Sequence, residues 1–261
     1  MVKMRIDVLM AERGITESRS RAQRLIQAGE VRVDGQLIHK PSTHVPADAE
    51  ITVEARLPFV GRGGQKLEAA LQRFEILVTD FVVADVGAST GGFTDCLLQR
   101  GARRVYAIDS GYGQLHWRLR TDPRVVVMER TNARYLEALP EPIDLTSIDV
   151  SFISLDLILP QVVTWLKVEG EVVALIKPQF EAGPRYVEKG GVVRNAATHR
   201  TVLQTVLASA YKLDLGLRGL MPSPIRGPAG NVEFLAWWQR GQMSIERGPA
   251  IDAALSEVQP D

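Results

Sequence analysis

The segment Val82-Val-Ala-Asp85-Val-Gly87-Ala88-Ser89-Thr90-Gly91-Gly92-Phe93-Thr-Asp95 joins an apolar run, an acidic residue, a glycine-rich turn and a helix start. Glycines let the chain turn tightly and let a ligand approach the main chain. The spacing is not the Gly-x-Gly-x-x-Gly of nicotinamide enzymes. The carboxylate of Asp85, placed before the turn, suits a ligand with an ammonium group better than one with a pyrophosphate. S-adenosylmethionine carries an α-ammonium group and no phosphate. The next apolar run, Val105-Tyr-Ala-Ile108, ends at Asp109, whose carboxylate can accept hydrogen bonds from both hydroxyls of an adenosine ribose. After a third run, Asn132 can either reach an adenine or cap a following helix. Any sheet protein carries glycine turns and strand-end aspartates. The loop, Asp85 and Asp109 in this order nonetheless favour a bound adenosyl cosubstrate.

Four more charges fall at predicted strand ends or helix starts. Lys177 follows Val172-Val-Ala-Leu-Ile176, and Glu233 lies in the apolar run Val232–Trp237. Asp149 ends the run 144–150, and Lys66 opens a helical stretch after Gly61-Arg-Gly-Gly-Gln65. Neighbours of this kind demand burial, whereas an ammonium or carboxylate demands a partner. One reading is four separate surface or structural charges. The other gathers them at one crevice, where Lys177 and Glu233 satisfy each other.

A third set is basic. Between Arg13 and Arg24 four arginines stand against one acid, Glu17. Arg21 and Arg24 are three apart and share an exposed helix face. Arg5, Arg19, Arg21 and Arg24 are candidate phosphate contacts, with Lys3 and Lys40 secondary. A solvated helix face is the alternative.

Two units must position these residues. Residues 1–57 read as two helices and a small sheet. Ile6, Leu9 and Met10 mark the first helix; Ala22, Leu25 and Ile26 mark the second, with Thr16 or Ser18 as its cap. Asp34-Gly35 between Val31–Val33 and Gln36–Ile38 signals a hairpin. Residues 58–64 read as a linker. Residues 65–240 alternate strands (82–86, 104–108, 125–128, 144–150, 172–176, 215–221, 232–237) with helices (65–74, 92–100, 199–211), which implies an α/β fold with a largely parallel sheet covered on both faces. Residues 241–261 are acidic and weakly apolar, so a mobile tail or a loosely docked helix is expected.

Composition bounds the class. The chain has 261 residues, 45% of them apolar and 24% charged, enough for two cores. Lys plus Arg equals Asp plus Glu at 31, so any nucleic acid must be met by a local patch. A single cysteine, Cys96, excludes an internal disulfide framework and a cysteine-rich zinc site, and the four histidines show no metal-ligand spacing. The start lacks an apolar signal core and no run is long enough to span a membrane, so a cytoplasmic protein is expected.

Taken together, these motifs resemble the TlyA-type (haemolysin A) family of ribosomal RNA methyltransferases, whose catalytic domain is similar to the ribose 2′-O-methyltransferase FtsJ. The resemblance rests on Arg62-Gly-Gly-Gln-Lys66-Leu, Asp85–Asp95, Asp109-Ser-Gly-Tyr-Gly-Gln-Leu115, Asp149-Val-Ser-Phe-Ile-Ser-Leu155, Leu175-Ile-Lys177-Pro-Gln-Phe-Glu181, Gly190-Gly-Val-Val-Arg194 and Gly230-Asn-Val-Glu233-Phe. It covers about residues 4–240. The first sixty residues resemble the αL-motif RNA-binding domain of ribosomal protein S-four. Two departures are visible: Gly61 where the family usually has Ser, and Ser110 where an apolar residue is common. Neither touches the expected catalytic set, although Gly61 is expected to loosen the linker.

The resemblance implies a Rossmann-like, S-adenosylmethionine-dependent fold: a seven-stranded, mostly parallel sheet with its last strand antiparallel, preceded by a small α+β RNA-binding domain. It implies a Lys-Asp-Lys-Glu tetrad at Lys66, Asp149, Lys177 and Glu233. Lys177 is expected as the base toward a ribose 2′-hydroxyl, Asp149 as its positioner, and Lys66 and Glu233 as the rest of the network. Gly87 to Phe93, Asp85, Asp109, Asn132 and Asp149 are expected at the cosubstrate, with no metal. Cytidine 2′-O-methylation of 16S or 23S rRNA, naked or in ribosomal subunits, is the activity implied. Competing readings are a non-catalytic RNA-binding protein of ribosome assembly, a small-molecule methyltransferase, and a membrane-active haemolysin. The intact tetrad, the RNA-binding domain, and the lack of a signal, span or strongly amphipathic cationic helix argue against these in turn.

Overall fold

A computed structural model describes residues 3–27, 29–53 and 58–258. The chain divides into two compact units, residues 1–57 and 58–261, with residues 54–57 at the expected boundary outside the described residues.

The first unit contains β1 (Lys3–Arg5), α1 (Ile6–Glu12), α2 (Arg19–Gln27), β2 (Val31–Val33), β3 (Gln36–Leu37), β4 (His44–Pro46) and β5 (Ile51–Val53). Strands β3, β2 and β5 form a three-stranded sheet, and β1 pairs antiparallel with β4. The hairpin turns on Asp34 and Gly35, both at positive φ. Ser18 accepts the Arg21 amide at 3.2 Å and so caps α2, while Thr16 is buried and donates to the Ser18 carbonyl. Ile6, Leu9, Met10, Ala22 and Ile26 fill the core with Val31, Val33 and Val45. Pattern reading misses β1 and β4, since three-residue strands carry too little alternation to register.

The second unit runs α3 (Gly63–Arg73), β6 (Val82–Val86), α4 (Gly92–Gln99), β7 (Arg104–Ile108), α5 (Trp117–Arg120), β8 (Val125–Met128), β9 (Ile143–Ile148), α6 (Leu159–Trp165), β10 (Leu166–Ile176), α7 (Pro178–Glu181), α8 (Ala196–Lys212), β11 (Leu215–Pro222), β12 (Phe234–Arg240) and α9 (Arg247–Ser256). Sheet order is β11-β12-β10-β9-β6-β7-β8. β12 slots between β10 and β11, antiparallel to both. Every other adjacent pair is parallel. The central strands are buried on both faces: one apolar cluster gathers Val82, Ile108, Ile148, Val172, Leu203 and Phe234, the other Val83, Leu97, Val105, Leu145, Leu175 and Leu235. Residues i and i+1 therefore serve opposite cores, which is why these strands read as unbroken apolar runs.

One expectation needs correction: the last strand begins at Phe234, so Glu233 stands one residue before it. Of the two alternatives for the stretch after 240, a mobile tail or a docked helix, the structure has the helix α9, with Ile251 and Ala254 buried and Asp252 paired to Arg200 at 2.6 Å. Its low apolar content hides two well-placed small contacts.

Candidate active site

The strands deliver their C-terminal ends to one edge of the sheet. From β6 the chain winds outward to β7 and β8, then returns to β9 on the other side. A crevice opens at this reversal. It has a volume of about 530 Å³ and is lined by Gly87, Ser89, Asp109, Ser110, Gln114, Asn132, Asp149, Ser151, Phe152 and neighbouring apolar groups.

The glycine loop is shaped by close approach. Gly87, at φ +85°, lies so near the Asp149 backbone carbonyl that a side chain would collide with it. Gly91, at φ +98°, begins α4 with no room for a side chain beside Leu119. Asp109 Oδ2 accepts the Ser89 amide at 2.7 Å and Oδ1 the Gly111 amide at 2.6 Å. Asp109 thus fastens the glycine loop to the loop after β7 while facing the crevice.

Of the residues expected at a cosubstrate, Gly87, Ser89, Asp109, Asn132 and Asp149 line the crevice. Asp85, Ala88, Thr90, Gly91, Gly92 and Phe93 do not. Ala88 and Phe93 pack into the core, and Gly92 lies against the backbone of Gly61 and Gly64. Asp85 is wholly enclosed and accepts hydroxyl hydrogen bonds from Thr94 at 2.6 Å and Ser147 at 3.0 Å. Burial pushes its carboxyl up to about 6. It braces β6 against α4 and β9, with both carboxylate oxygens engaged by these hydroxyls. Asn132 caps a short 3-10 turn, accepting the Arg134 amide at 3.0 Å, and also lines the crevice, so both readings of it describe its place.

The four charges come together as two pairs. Lys177 Nζ lies 2.6 Å from Asp149 Oδ1 and donates to Ser151 Oγ at 3.0 Å. Lys66 Nζ lies 2.5 Å from Glu233 Oε2. The expected Lys177–Glu233 partnership is replaced by these two. The antiparallel register still brings the backbones of Lys177 and Glu233 to the same end of the sheet: Ile176 pairs with Phe234, and each charge is the residue just beyond that last pair. A Cβ built on Gly63 would lie 3.7 Å from Asp149 Oδ2, so the first turn of α3, which carries Lys66, abuts the Lys177–Asp149 pair. Lys66, Lys177 and Glu233 are all buried, and Asp149 faces both the crevice and Lys177. Gly61 also packs here, since a side chain on it would meet the Thr90 hydroxyl.

Family models match the chain in two places. The FtsJ-like methyltransferase model covers residues 59–240, and the S4 domain model covers residues 4–51. The chain belongs to the FtsJ-like methyltransferase family. Among its relatives is the 16S/23S rRNA (cytidine-2′-O)-methyltransferase TlyA of Mycobacterium tuberculosis, 45% identical over 90% of this chain and 89% of that protein. Hemolysin A of Brachyspira hyodysenteriae is 40% identical over 89% of this chain and 98% of that one. A solved Streptococcus thermophilus structure that bears the hemolysin name is 43% identical, with a TM-score of 0.76 over 98% of this chain and 96% of that one. This FtsJ-like methyltransferase therefore shares both of its units with the TlyA and hemolysin A group, and S-adenosylmethionine is its methyl donor. Among the described residues no helix is long and apolar enough to cross a membrane, and no group of three or more His, Cys, Asp or Glu side chains is arranged to hold a metal.

Pattern reading misses Phe152 and Ser151. Phe152 is 90% exposed, at φ +63°, beside the crevice, with its ring 4.9 Å from that of Phe180. A bulky residue held in this backbone region and left bare to water is uncommon. The sequence signal is an aromatic three residues after Asp149, in a motif otherwise credited only to Asp149.

In the S4 unit, Arg5 and Arg19 both grip the enclosed Asp7, Arg5 through Nε and Nη2 at 3.0 Å each and Arg19 through Nε at 2.8 Å, and Gln23 adds a fourth hydrogen bond. Led by the bond from Arg5, these contacts hold the Asp7 carboxyl well below its usual range. Arg21 and Arg24 are exposed and, among the described residues, make no side-chain ion pair.

Proposed function

We propose that this protein methylates a ribose 2′-hydroxyl of ribosomal RNA, on a cytidine of the small- or large-subunit RNA, in the cytoplasm. The observation that carries the reading is the pair of ion pairs, Lys66–Glu233 buried and Lys177–Asp149 at the crevice edge, beside a crevice built on a glycine loop. The rRNA (cytidine-2′-O)-methyltransferase activity named for the Mycobacterium tuberculosis relative supports the substrate.

The crevice suits the cosubstrate in size and in its polar groups. Asp109 faces it with both carboxylate oxygens fixed by backbone amides, leaving lone pairs for two ribose hydroxyls; Ser89, Asn132 and the main chain of Gly87 complete it. When bound, S-adenosylmethionine supplies an electrophilic methyl group on its sulfonium. Lys177 Nζ is the group that takes the proton of the 2′-hydroxyl. Asp149 and Ser151 fix the amine, and Lys66 with Glu233 orients the hydroxyl. The dominant contribution is alignment of oxygen and methyl group, and the reading invokes no metal. Phe152 offers an aromatic face on which the target base stacks. Arg5, Arg19, Arg21 and Arg24 contact RNA phosphates, with Arg5 and Arg19 set in place by Asp7.

The test is methyl transfer from labelled S-adenosylmethionine to unmethylated ribosomal subunits and to their naked RNAs, with Lys177→Ala as control. Label at a 2′-O position, absent with the variant, is the expected result. Label on no RNA, with cosubstrate binding intact, would move the protein to a non-catalytic role in ribosome assembly.

A further inference from the structure

Asn231 stands two residues before Glu233 and is 2% exposed. Both ends of its amide are engaged. Oδ1 accepts the Val193 N–H at 2.9 Å, and Nδ2 donates to the Gly191 carbonyl at 2.9 Å. Its backbone carbonyl accepts the Gly227 N–H at 2.9 Å, and the Gly230 N–H donates to the Gly227 carbonyl at 2.8 Å. One side chain therefore ties the loop before β12 to the Gly190–Arg194 segment, a motif the transfer chemistry leaves without a role.

That segment is itself fixed. Gly190 and Gly191 turn at φ +95° and +78°. The Glu188 N–H donates to the Val192 carbonyl at 2.9 Å. The Val193 carbonyl lies 2.9 Å from Nε2 of the buried His199, which anchors the turn on α8. On the other side, the clasped loop closes on Glu233. The Ser223 N–H donates to the Glu233 carbonyl at 2.8 Å. Gly227 packs so tightly that a Cβ there would fall 2.6 Å from Glu233 Oε1. With Oε1 confined by Gly227, Oε2 is the oxygen left for Lys66, at 2.5 Å.

We propose that Asn231 is a positioning residue for methyl transfer. By clasping the Gly191–Val193 turn it holds Gly227 against Glu233 and so sets the Glu233 carboxylate on Lys66. This rests on the reading that Glu233 serves the transfer site. The clasp needs one acceptor and one donor on a single planar group. Asparagine supplies both, aspartate supplies acceptors only, and alanine supplies neither. A misplacement of about 1 Å at a reacting centre costs on the order of 100-fold in rate.

The test uses the full chain as wild type, Asn231→Ala, Asn231→Asp, Glu233→Gln and the Asn231→Ala/Glu233→Gln double variant. Amide hydrogen exchange is followed over residues 188–196 and 222–233, and steady-state transfer is measured on ribosomal subunits. Asn231→Ala is expected to speed exchange in both segments. It should lower kcat by about 10- to 100-fold, while the KM for RNA and the Kd for S-adenosylmethionine move less than about twofold. Asn231→Asp should fall between, and it carries the comparison if the alanine variant fails to fold. The double variant should be no slower than Glu233→Gln alone, because both changes act through one carboxylate. A kcat for Asn231→Ala within about twofold of wild type, full multiplication with Glu233→Gln, or unchanged exchange in both segments would overturn the proposal. A Glu233→Gln variant with wild-type kcat would instead remove Glu233 from the transfer site.

Discussion

Lys66 and Glu233, 167 residues apart in sequence, meet at 2.5 Å in a buried ion pair between the first turn of α3 and the residue before β12. Only 9% of the lysine side chain and 1% of the glutamate side chain reach solvent. The pair joins the start of the methyltransferase unit to its last strand, so it serves the fold as well as the site. Truncating one partner leaves the other charge buried and unpaired, which costs about 3–5 kcal/mol. Lys66→Met and Glu233→Leu should each destabilise by that order in urea unfolding, and the double variant should lose less than their sum. Strict additivity would show that the two charges do not depend on each other.

Lys177 is tested by replacement that keeps the charge. Lys177→Arg preserves a cation for Asp149, yet a guanidinium does not give up a proton at accessible pH. Transfer should fall by about 100-fold or more, with cosubstrate binding by calorimetry within about twofold of wild type. Recovered transfer in this variant would assign Lys177 to orientation and not to proton uptake.

Phe152 buries little of itself, so Phe152→Ala should leave the melting temperature unchanged. A lost stacking contact is worth about 1–3 kcal/mol, so the KM for RNA should rise by roughly 10-fold or more. Phe152→Tyr should retain most of the activity. An alanine variant with wild-type kinetics would make the exposed ring irrelevant to substrate.

Asp85 links stability to pH. Its carboxyl is raised from 3.8 to about 6 by burial. Across that window the folded chain keeps a proton that the unfolded chain has lost, so stability falls as pH rises from about 4 through 6, by about 3 kcal/mol for the full shift. Asp85→Asn should flatten this slope in melting curves between pH 4 and 7. It should also retain cosubstrate binding, because Asp85 lies outside the crevice. Loss of binding in a folded Asp85→Asn protein would restore its expected role at the ammonium group.

The S4 unit is read through salt. Removing two phosphate contacts with Arg21→Glu and Arg24→Glu should weaken RNA binding and reduce the slope of log K against log salt by about 1.5. Asp7→Asn should weaken binding more modestly, by releasing Arg5 and Arg19 from their fixed geometry. Filter binding at several salt concentrations checks both, and an unchanged slope in the double variant would remove α2 from the RNA contact.

Much of this protein is legible in its sequence because its central strands are buried on both faces. Val82–Val86 and Arg104–Ile108 are delimited by the apolar runs themselves, each ended by a glycine turn or a polar residue. The charges that interrupt such runs, Lys177 and Glu233, stand out for the same reason: burying them without partners is too costly for chance. The arginine face of α2 follows from helical spacing alone.

Tertiary structure decided who partners whom. Sequence shows four charges in need of partners; the insertion of β12 beside β10 and the return of α3 to the sheet edge determine that Lys66 takes Glu233 and Lys177 takes Asp149. It decided that Asp85 braces the strands, because the turn at Gly87 leaves that carboxylate beneath the loop, between Thr94 and Ser147. It exposed Phe152, whose backbone angle no residue pattern announces. The division has a physical cause. Burial and periodicity act along the chain and leave their mark on residue types. Pairing is settled by distances of a few ångströms between segments far apart in sequence, and those distances exist only once the sheet is assembled.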